Sequence, residues 1–398
     1  MKKLFLLILV LIGFISINAA EVSGTISANT TWTLANSPYI VTNNITVNAG
    51  VTLTIENGVE VRFADGRYMV IAGGATGGTL SADNVAFTSN TGTTAGLWNA
   101  IYFDNGSTAN LSNCSFQYAT HALRIRGAVN MNIDASCSFN DISYNAVYME
   151  FRTLNSDMTL PKLSIPYWNN GNSLNVANGA KLSIEPGVVY KFNGIDGGVY
   201  VDNGSLHAVG TETEPIIFTS SRDDSDGTWV QDATAPAVRN WRHIRFMSGE
   251  ITENRLEHCI IRYAGYSSDN WGSSALDVRT DGVGVTIKDC RFENNQRSLS
   301  VMAGGTIHLE NSSIGGIDYP ISMRADGNID VINSSIDFTG LQNKAIFLKG
   351  TANITANAHL KALNFINATN IAYYNDDCIR VPDSMTMTID PGVVIKGV

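Results

Sequence analysis

Three copies of one short segment restrict what this sequence can fold into. The copies read VTLTIENGVEVRF from Val51, AKLSIEPGVVYKF from Ala180 and MTMTIDPGVVIKGV from Met385. The sequence that follows the first two copies also matches, since LSNCSFQYA from Leu111 corresponds to LEHCIIRYA from Leu256. Such self-similarity is typical of repeat architectures, in which stacked units bury one continuous core.

A shorter period lies inside these blocks. Similar segments begin at Val285, Ile307 and Ile329, in steps of 22 residues. Each segment alternates apolar and polar residues, which predicts short strands with one buried face. An Asn or Asp follows, which favours a tight corner. One coil therefore holds about three short strands, and such coils must stack because none buries its apolar face alone.

Parallel pairing of the first strand in each coil predicts an all-β rod of about thirteen coils, with residues 21–40 as an N-terminal cap. The first strands are predicted to begin near Ile45, Met69, Ile101, Leu123, Val147, Leu174, Val199, Ile244, Leu276, Leu299, Ile321, Ile346 and Ile379.

The repeated motif resembles that of a known family. Ile184-Glu-Pro-Gly-Val-Val189 and Ile389-Asp-Pro-Gly-Val-Val394, with a looser copy at Ile55-Glu-Asn-Gly-Val59, are similar to the coils of secreted bacterial proteins of the pectin-lyase-like family. The resemblance covers about residues 30–398 and implies a single-stranded, right-handed parallel β-helix over residues 21–398. It does not imply an activity, because this fold contains enzymes, binding proteins and inert stalks.

The amino terminus reads as a secretory signal peptide of residues 1–20. A basic Met1-Lys2-Lys3 precedes the apolar run Leu4–Ile17, and small residues end at Ala20. An uncleaved anchor is the alternative. No further membrane-length apolar segment follows, so we expect no membrane span after cleavage. The expected location is extracellular or at the cell surface, with the periplasm as the alternative.

Charge and the end of the sequence add two expectations. A formal net charge of −10 and a pI near 5.0 argue against nucleic acid as a partner. The third motif stops at Val398, whereas the second continues past Phe192 to another strand. We therefore expect an incomplete C-terminal end, with further domains beyond it.

Corner and cysteine positions recur with the coil. One equivalent corner is occupied by Asn113, Asp289, Asn311 and Asn333. The slot after that corner is occupied by Cys114, Cys137, Cys259, Cys290, Ser312 and Ser334. Serine in the same slot favours a small inward-facing residue. Bridges between cysteines of neighbouring coils stay open as an alternative, and Cys378 has no partner by this logic.

No recognisable catalytic set is present. Hydrolases of this family combine Asp residues with Gly-His-Gly and Arg-x-Lys, and neither accompanies Asp223-Asp224 or Asp376-Asp377. A lyase would need acidic Ca²⁺ ligands beside a basic residue, and no such set is recognisable. Asp223, Asp224 and Asp226 are candidate Ca²⁺ ligands in an insertion over residues 220–240. A solvated acidic loop is the alternative.

The outward positions of the first strands suggest a binding face. They gather Arg and Tyr, which suit sugar rings and carboxylates or sulfates. The candidate residues for an extended, anionic glycan are Tyr102, Arg124, Arg126, Tyr148, Tyr200, Arg245, Arg279, Arg324 and Arg380. Trp229, Tyr266 and Trp271 lie on insertions that either form a rim or cover loops. An exposed sheet face without a ligand is the alternative.

The expected function is a non-catalytic, secreted or surface protein that binds extracellular polysaccharide or acts as an adhesin. A polysaccharide lyase or glycoside hydrolase of the same fold is the first alternative. A passive structural stalk is the second. No cofactor is expected, apart from a possible Ca²⁺.

Overall fold

The chain folds into an all-β, right-handed parallel β-solenoid of about 15 turns. The computed structural model describes residues 19–249, 252–267, 274–350 and 353–397. Of the predicted signal peptide, only Ala19 and Ala20 fall within these residues. The fold is therefore as predicted, but about thirteen turns was too few. Strands at both ends, Ala20–Ile26 and Ile395–Gly397, also take places in the stack.

The strands form four sets, which we name here. The long sheet contains Ala20–Ile26, Tyr39–Val47, Met69–Ile71, Ile101–Asp104, Leu123–Arg126, Val147–Met149, Tyr167–Asn170, Val189–Asn193, Ile216–Ser220, Cys259–Arg262, Arg291–Glu293, Ser313–Ile314 and Ser335–Ile336. The amino-terminal sheet joins it at Tyr39–Val47 and continues through Glu60–Phe63, Ala86–Ser89, Ser115–Gln117 and Ser138–Asn140. The carboxyl-terminal sheet contains Thr153–Leu154, Ser173–Val176, Gly198–Val201, Ile244–Phe246, Leu276–Val278, Leu299–Val301, Ile321–Met323, Ile346–Leu348, Tyr373–Asn375 and Ile395–Gly397.

The remaining strands form the side sheets, which are three separate groups along one side of the rod. The first group is Thr30–Trp32, Thr52–Ile55, Thr79–Asp83, Thr108–Ser112 and Asn130–Ile133. The second is Met158–Leu160, Lys181–Ile184, Ser205–Val209, Arg255–Glu257, Gly284–Lys288, Thr306–Glu310 and Asn328–Ile332. The third is Ala358–Leu360 with Met387–Ile389, and a single 3₁₀ turn over Leu34–Asn36 is the helical element in the described residues.

Alternation places the core inside the coil. In Thr79–Asp83, Leu80 and Ala82 are buried while Ser81 faces outward. Equivalent inward residues stack from coil to coil, as do the rings of Phe87, Phe116 and Phe139, whose centroids are 5.0 Å apart at each step. Each fully buried side chain of this size stabilises the fold by about 1.5–3 kcal/mol, so the stacked column holds neighbouring coils together.

The two long repeats are structurally equivalent in detail. Trp98 stacks on Phe63 with ring centroids 4.3 Å apart, and Trp241 stacks on Phe192 at 4.7 Å. Each indole is fully buried and donates its Nε1–H to the carbonyl of the matching residue, Gln117 or Arg262. The same sequence signal therefore specifies the same packing twice.

The corner prediction is confirmed. Asn113, Asp289, Asn311 and Asn333 all have φ between 46° and 52°, a left-handed conformation that Asn and Asp tolerate better than most residues.

The slot after the corner forms a short ladder of hydrogen bonds. The backbone N–H of Cys290 donates to Ser312 Oγ at 3.0 Å, and that of Ser312 donates to Ser334 Oγ at 3.0 Å. Cys259 donates in the same way to Cys290 Sγ at 3.4 Å. Cys114, Cys137, Cys259 and Cys290 are buried thiols without a disulfide, and Cys378 is exposed. This agrees with a small inward-facing residue in the slot.

Where a new long repeat begins, the strands of one coil no longer stack on the same-numbered strands of the coil before it. Val147–Met149 is a first strand, yet its next neighbour in the stack is Tyr167–Asn170, the third strand of the following coil. The first strands of that coil start a new stack, in which Thr153–Leu154 pairs with Ser173–Val176. The long sheet therefore combines first strands of the amino-terminal part with third strands of the carboxyl-terminal part.

A buried tyrosine marks the start of each repeat. Tyr39 accepts a hydrogen bond from the Thr33 N–H at 2.8 Å. Tyr167 and Tyr373 each donate to a backbone carbonyl at 2.7 Å, that of Pro161 and that of Lys361. All three rings are at most 5% exposed. The hydroxyl thus anchors the incoming strand to the segment that precedes it.

The predicted strand near Ile379 is wrong. Tyr373–Asn375 takes the place beside Ile346–Leu348, and Ile395–Gly397 follows it. The cause is a second such change in stacking, because Tyr373 begins the third repeat as Tyr167 begins the second. The segment predicted as an N-terminal cap, residues 21–40, contributes strands to the stack as well.

Candidate binding surfaces on the outside of the rod

The first part of the predicted binding face lies on the long sheet. Arg124 lies between Tyr102 and Tyr148, because each pairs with it across one coil. This order was predicted from the alternation. Trp168, however, follows Tyr148 in the sheet. The predicted first strand near Leu174 would have placed Asn175 there.

The second part of the predicted face lies on a different sheet. Asn175, Tyr200 and Arg245 occupy consecutive outward positions of the carboxyl-terminal sheet. Because that sheet and the long sheet form different sides of the same coils, the predicted residues do not make one continuous surface. The prediction failed because it assumed that the first strand near Leu174 stacks directly on the first strand near Val147.

Three further predicted residues lie towards the carboxyl-terminal end. Arg279 and Arg324 each follow a strand of the carboxyl-terminal sheet. Arg380 is exposed and forms an isolated bridge with Asn353 instead of joining that sheet. The outward position predicted for Arg380 belongs to Tyr374.

Aromatic rings cluster on the outside of the long sheet. We name as the aromatic platform the residues Tyr102, Tyr144, Tyr148, Trp168 and Trp229. Trp168 is its centre, with ring centroids 5.1 Å from Tyr148, 5.8 Å from Tyr144 and 5.1 Å from Trp229. Tyr144 lies nearly parallel to Trp168, is 41% exposed and covers it from solvent.

Arg124 links Tyr102 to the rest of the platform. Its guanidinium lies 4.9 Å from the ring centroid of Tyr102 and 5.0 Å from that of Tyr148. A cation over an aromatic face stabilises both rings in place. The same arginine is paired with Glu150, with 2.7 Å between Nη2 and Oε1. The platform therefore has a rigid floor whose charge is balanced.

His121 packs inside the platform. Its ring is stacked 4.8 Å from Tyr144 and 5.2 Å from Tyr148 and is almost fully buried. Burial, with a smaller contribution from Arg124, lowers the pKa of His121 to about 4. The imidazole is therefore neutral near pH 7 and acts as a third flat ring in the stack.

The Trp229 side of the platform depends on a buried lysine. Lys191 occupies the outward position after Trp168 in the long sheet but is fully buried, because residues 221–240 fold over it. Its Nζ donates to the carbonyls of Asp223 and Trp229 at 2.6 and 2.9 Å. It also lies 3.2 Å from Asp226 Oδ1. The insertion is thus tied to the sheet where Trp229 meets Trp168.

The acidic insertion uses its carboxylates internally. Asp226 pairs with Lys191, and Asp223 pairs with Arg262 at 2.5 Å between Oδ2 and Nε. Asp224 is exposed. Burial tends to raise the pKa of Asp223, but hydrogen bonds from Thr219 and Ser225 and the charge of Arg262 lower it overall. Two of the three candidate Ca²⁺ ligands therefore already have cationic partners.

The predicted arginines on the long sheet have acidic partners. Beside the pair of Arg124 with Glu150, Arg126 pairs with Asp104 at 2.7 Å. On the carboxyl-terminal sheet, Arg245 has its partner in Asp277, whose Oδ2 lies 2.8 Å from Nε.

The remaining paired arginines repeat this pattern. Arg279 shares the fully buried Asp277 with Arg245, at 2.5 Å. Arg324 pairs with Asp326 at 2.8 Å. The surplus positive charge that an anionic glycan would require is therefore neutralised at these positions.

A groove of about 530 Å³ opens beside the carboxyl-terminal sheet. Tyr200 and the 40%-exposed Met247 provide its apolar surface. The Tyr200 hydroxyl lies 3.0 Å from His243 Nε2, which fixes the ring. The polar lining residues are Arg152, Asn172, Ser173, Asn175, Asp196, Asp202 and Arg242. Mixed donors and acceptors around an aromatic ring are typical of sites for polyhydroxylated ligands.

Within the described residues, no group of three His, Cys, Asp or Glu side chains is placed to hold a metal ion. No helix there is long and apolar enough to cross a membrane. Tyr266 packs under Arg239, 5.5 Å from its guanidinium, and so covers a loop. Trp271 lies outside the described residues.

The molecule is thus a β-solenoid protein with two candidate binding surfaces on different sides. No family model, curated protein or solved structure matches the chain.

Proposed function

We propose that this chain is a secreted or surface-exposed, non-catalytic β-helix protein of the pectin-lyase-like type that binds extracellular polysaccharide, as an adhesin does. The aromatic platform is the observation that carries the proposal. A solenoid satisfies its core with inward residues, so Tyr144, Tyr148 and Trp229 on the outside are not needed for coil packing. Flat rings of this kind suit the apolar faces of sugar rings.

The ion pairs refine the expected ligand. Arg124 and Arg126 are each neutralised by a carboxylate at 2.7 Å. A ligand held by ring stacking and hydrogen bonds therefore suits the platform better than one held by net charge. Sugars whose carboxylates displace Glu150 or Asp104 would have to separate an existing pair, which costs free energy.

Binding to a polysaccharide panel tests the proposal. We expect wild-type protein to bind at least one glycan, and Tyr148→Ala to weaken that binding by about tenfold, equal to about 1.4 kcal/mol. Tyr374→Ala is the matched control, because Tyr374 is an outward ring on the carboxyl-terminal sheet. It should bind as wild type. Equal loss in both variants would show that the platform is not the binding site, and no binding by wild type to any glycan would leave a passive stalk as the function.

A further inference from the structure

A further groove lies on neither surface discussed above. It encloses about 730 Å³ along the first group of side sheets. Its floor is formed by one outward residue from each of four successive coils, in register: Thr54, Ser81, Asn110 and Asn132. At about 4.8 Å per coil, this floor extends about 14 Å along the rod axis.

The floor is ordered and has no charge. Asn132 Nδ2 donates to Asn110 Oδ1 at 2.8 Å, so the amides are held in a row. The neighbouring outward column is uncharged as well and consists of Thr52, Thr79, Thr108 and Asn130. Each residue of the two columns offers hydrogen-bond donors, acceptors or both.

The same side of the rod is charged in the second group of side sheets. There, outward Arg255 pairs with Glu257, and Lys288 pairs with Glu310 at 3.3 Å. An outward position on a side sheet therefore accepts charge without disturbing the coil. The uncharged columns are a property of the amino-terminal coils and not a requirement of the fold.

Acidic residues and a closed end bound the groove. Asp83 lies on the corner side, where Ser112 Oγ and Asn113 Nδ2 donate to its Oδ1 at 2.7 and 2.9 Å. Pro161 and Lys162 close the end at the junction between repeats. The Lys162 ammonium is already paired with Glu214. Asp134 and Glu185 also line the groove, so its walls are acidic overall, which disfavours an anionic ligand.

We propose that this groove is a second binding site, for an uncharged polysaccharide that lies along the rod axis. A row of hydroxyl and amide groups, repeated once per coil, presents the same hydrogen bonds at regular intervals. A polymer with a repeating unit is the ligand that can use all of them, while Asp83 and Asp134 accept hydrogen bonds from its hydroxyls. The site works by hydrogen bonding and lies apart from the aromatic platform.

Paired variants and two polymers test the site. The probes are hydroxyethylcellulose and a soluble arabinoxylan free of uronic acid, both uncharged, in affinity gel electrophoresis of the full chain. Ser81→Arg with Asn110→Arg fills the floor, and Thr286→Arg with His308→Arg places the same charges on the second group of side sheets. We expect the floor variant to lose at least about tenfold in affinity, and the control to be retarded like wild type.

Two results would overturn the site. One is wild-type protein that is not retarded by either polymer. The other is a floor variant that binds both polymers as tightly as the control. Tyr148→Ala changes only the platform and the floor variant changes only the groove, so a loss of retardation confined to one of the two variants identifies the site that binds the polymer. Failure of the platform therefore does not imply failure of the groove.

Discussion

Tyr148 and Trp168 are neighbours in one sheet although they belong to different strands of the coil. Val147 pairs with Tyr167 and Tyr148 pairs with Trp168, so the end of the first repeat is continued by the third strand of the second. The aromatic platform forms at this seam. It brings outward rings from two repeats together with Trp229 from the insertion that covers the following coils.

The buried ion pair under the insertion should dominate local stability. Lys191→Met removes the nearer cation of the buried Asp226 and leaves only Arg262, whose Nη2 lies 3.8 Å from Oδ2. We expect a loss of about 3–5 kcal/mol in the free energy of unfolding. Chemical denaturation measures the loss, and proteolysis within residues 221–240 should accelerate. Lys288→Met is the control, because its pair with Glu310 is half-exposed and contributes at most about 1 kcal/mol.

A second variant separates charge from packing at the same place. Lys191→Met combined with Asp226→Asn removes both charges, and we expect it to recover part of the lost stability. If the double variant is no more stable than Lys191→Met, the buried carboxylate is not the source of the loss.

Stability should fall in acid because of His121. Its pKa is about 4 in the folded protein against about 6.5 when unfolded, so the unfolded chain binds the extra proton first as pH falls. The contribution of neutral His121 is complete above about pH 6.5 and is lost progressively down to about pH 4, a change of about 3 kcal/mol.

His121→Phe is the reference for this change, because phenylalanine keeps a flat ring without a titratable group. Denaturation midpoints of both proteins should be compared between pH 7 and pH 4. We expect the wild type to lose stability relative to the variant over that range. Parallel pH profiles would contradict the assigned burial of the imidazole.

The hydroxyl of Tyr167 should anchor the second repeat. Tyr167→Phe leaves the Pro161 carbonyl without its donor, and an unpaired buried acceptor costs about 1–3 kcal/mol. Tyr68→Phe, on a half-exposed ring, should change the free energy of unfolding by less than about 0.5 kcal/mol. Equal effects in the two variants would show that the anchor contributes nothing specific.

The left-handed conformation of Asn333 predicts that a glycine variant is more stable than an alanine variant at this corner. With φ at 46°, alanine at this position should cost about 1–2 kcal/mol more than glycine, although alanine is normally the milder change. Thermal unfolding of Asn333→Ala and Asn333→Gly measures the difference. A more stable alanine variant would mean that the corner relaxes to an ordinary conformation.

Much of the fold could be predicted because the relevant signals are local and repeated. Alternation gives the inward face of each strand, and Asn or Asp at a fixed place gives the corner, as at Asp289 and Asn311. The spacing from Val285 to Ile307 to Ile329 was reproduced as strand register. Each of these depends on a few residues within one coil.

The junctions could not be predicted from the same signals. Whether Tyr167 or Leu174 stacks on Val147 depends on how two coils meet, and both segments alternate correctly. The sequence does contain a hint, since Tyr39, Tyr167 and Tyr373 stand at the same distance before each repeated motif to within two residues. Their shared role was visible only once the hydroxyl partners were known.

The candidate sites were predictable in part for a related reason. Tyr102, Arg124 and Tyr148 lie on first strands that stack directly on one another, so alternation placed them correctly together. Tyr144 and Trp168 were missed because one lies in a loop and the other beyond the seam. The partners of the arginines were missed as well, since Asp277 and Glu150 are near them in space through sheet register, which a single sequence shows only indirectly.

The anchored seam has an evolutionary consequence. The tyrosine-bearing strand of an incoming repeat docks on the first strand that ended the previous one, as Tyr167–Asn170 docks on Val147–Met149 and Tyr373–Asn375 on Ile346–Leu348. Duplication of a whole repeat therefore adds a segment without redesigning the existing ones. Recombination can therefore lengthen or shorten such a rod by one whole repeat at a time. Each added repeat also creates a new junction, whose outward positions can acquire new side chains.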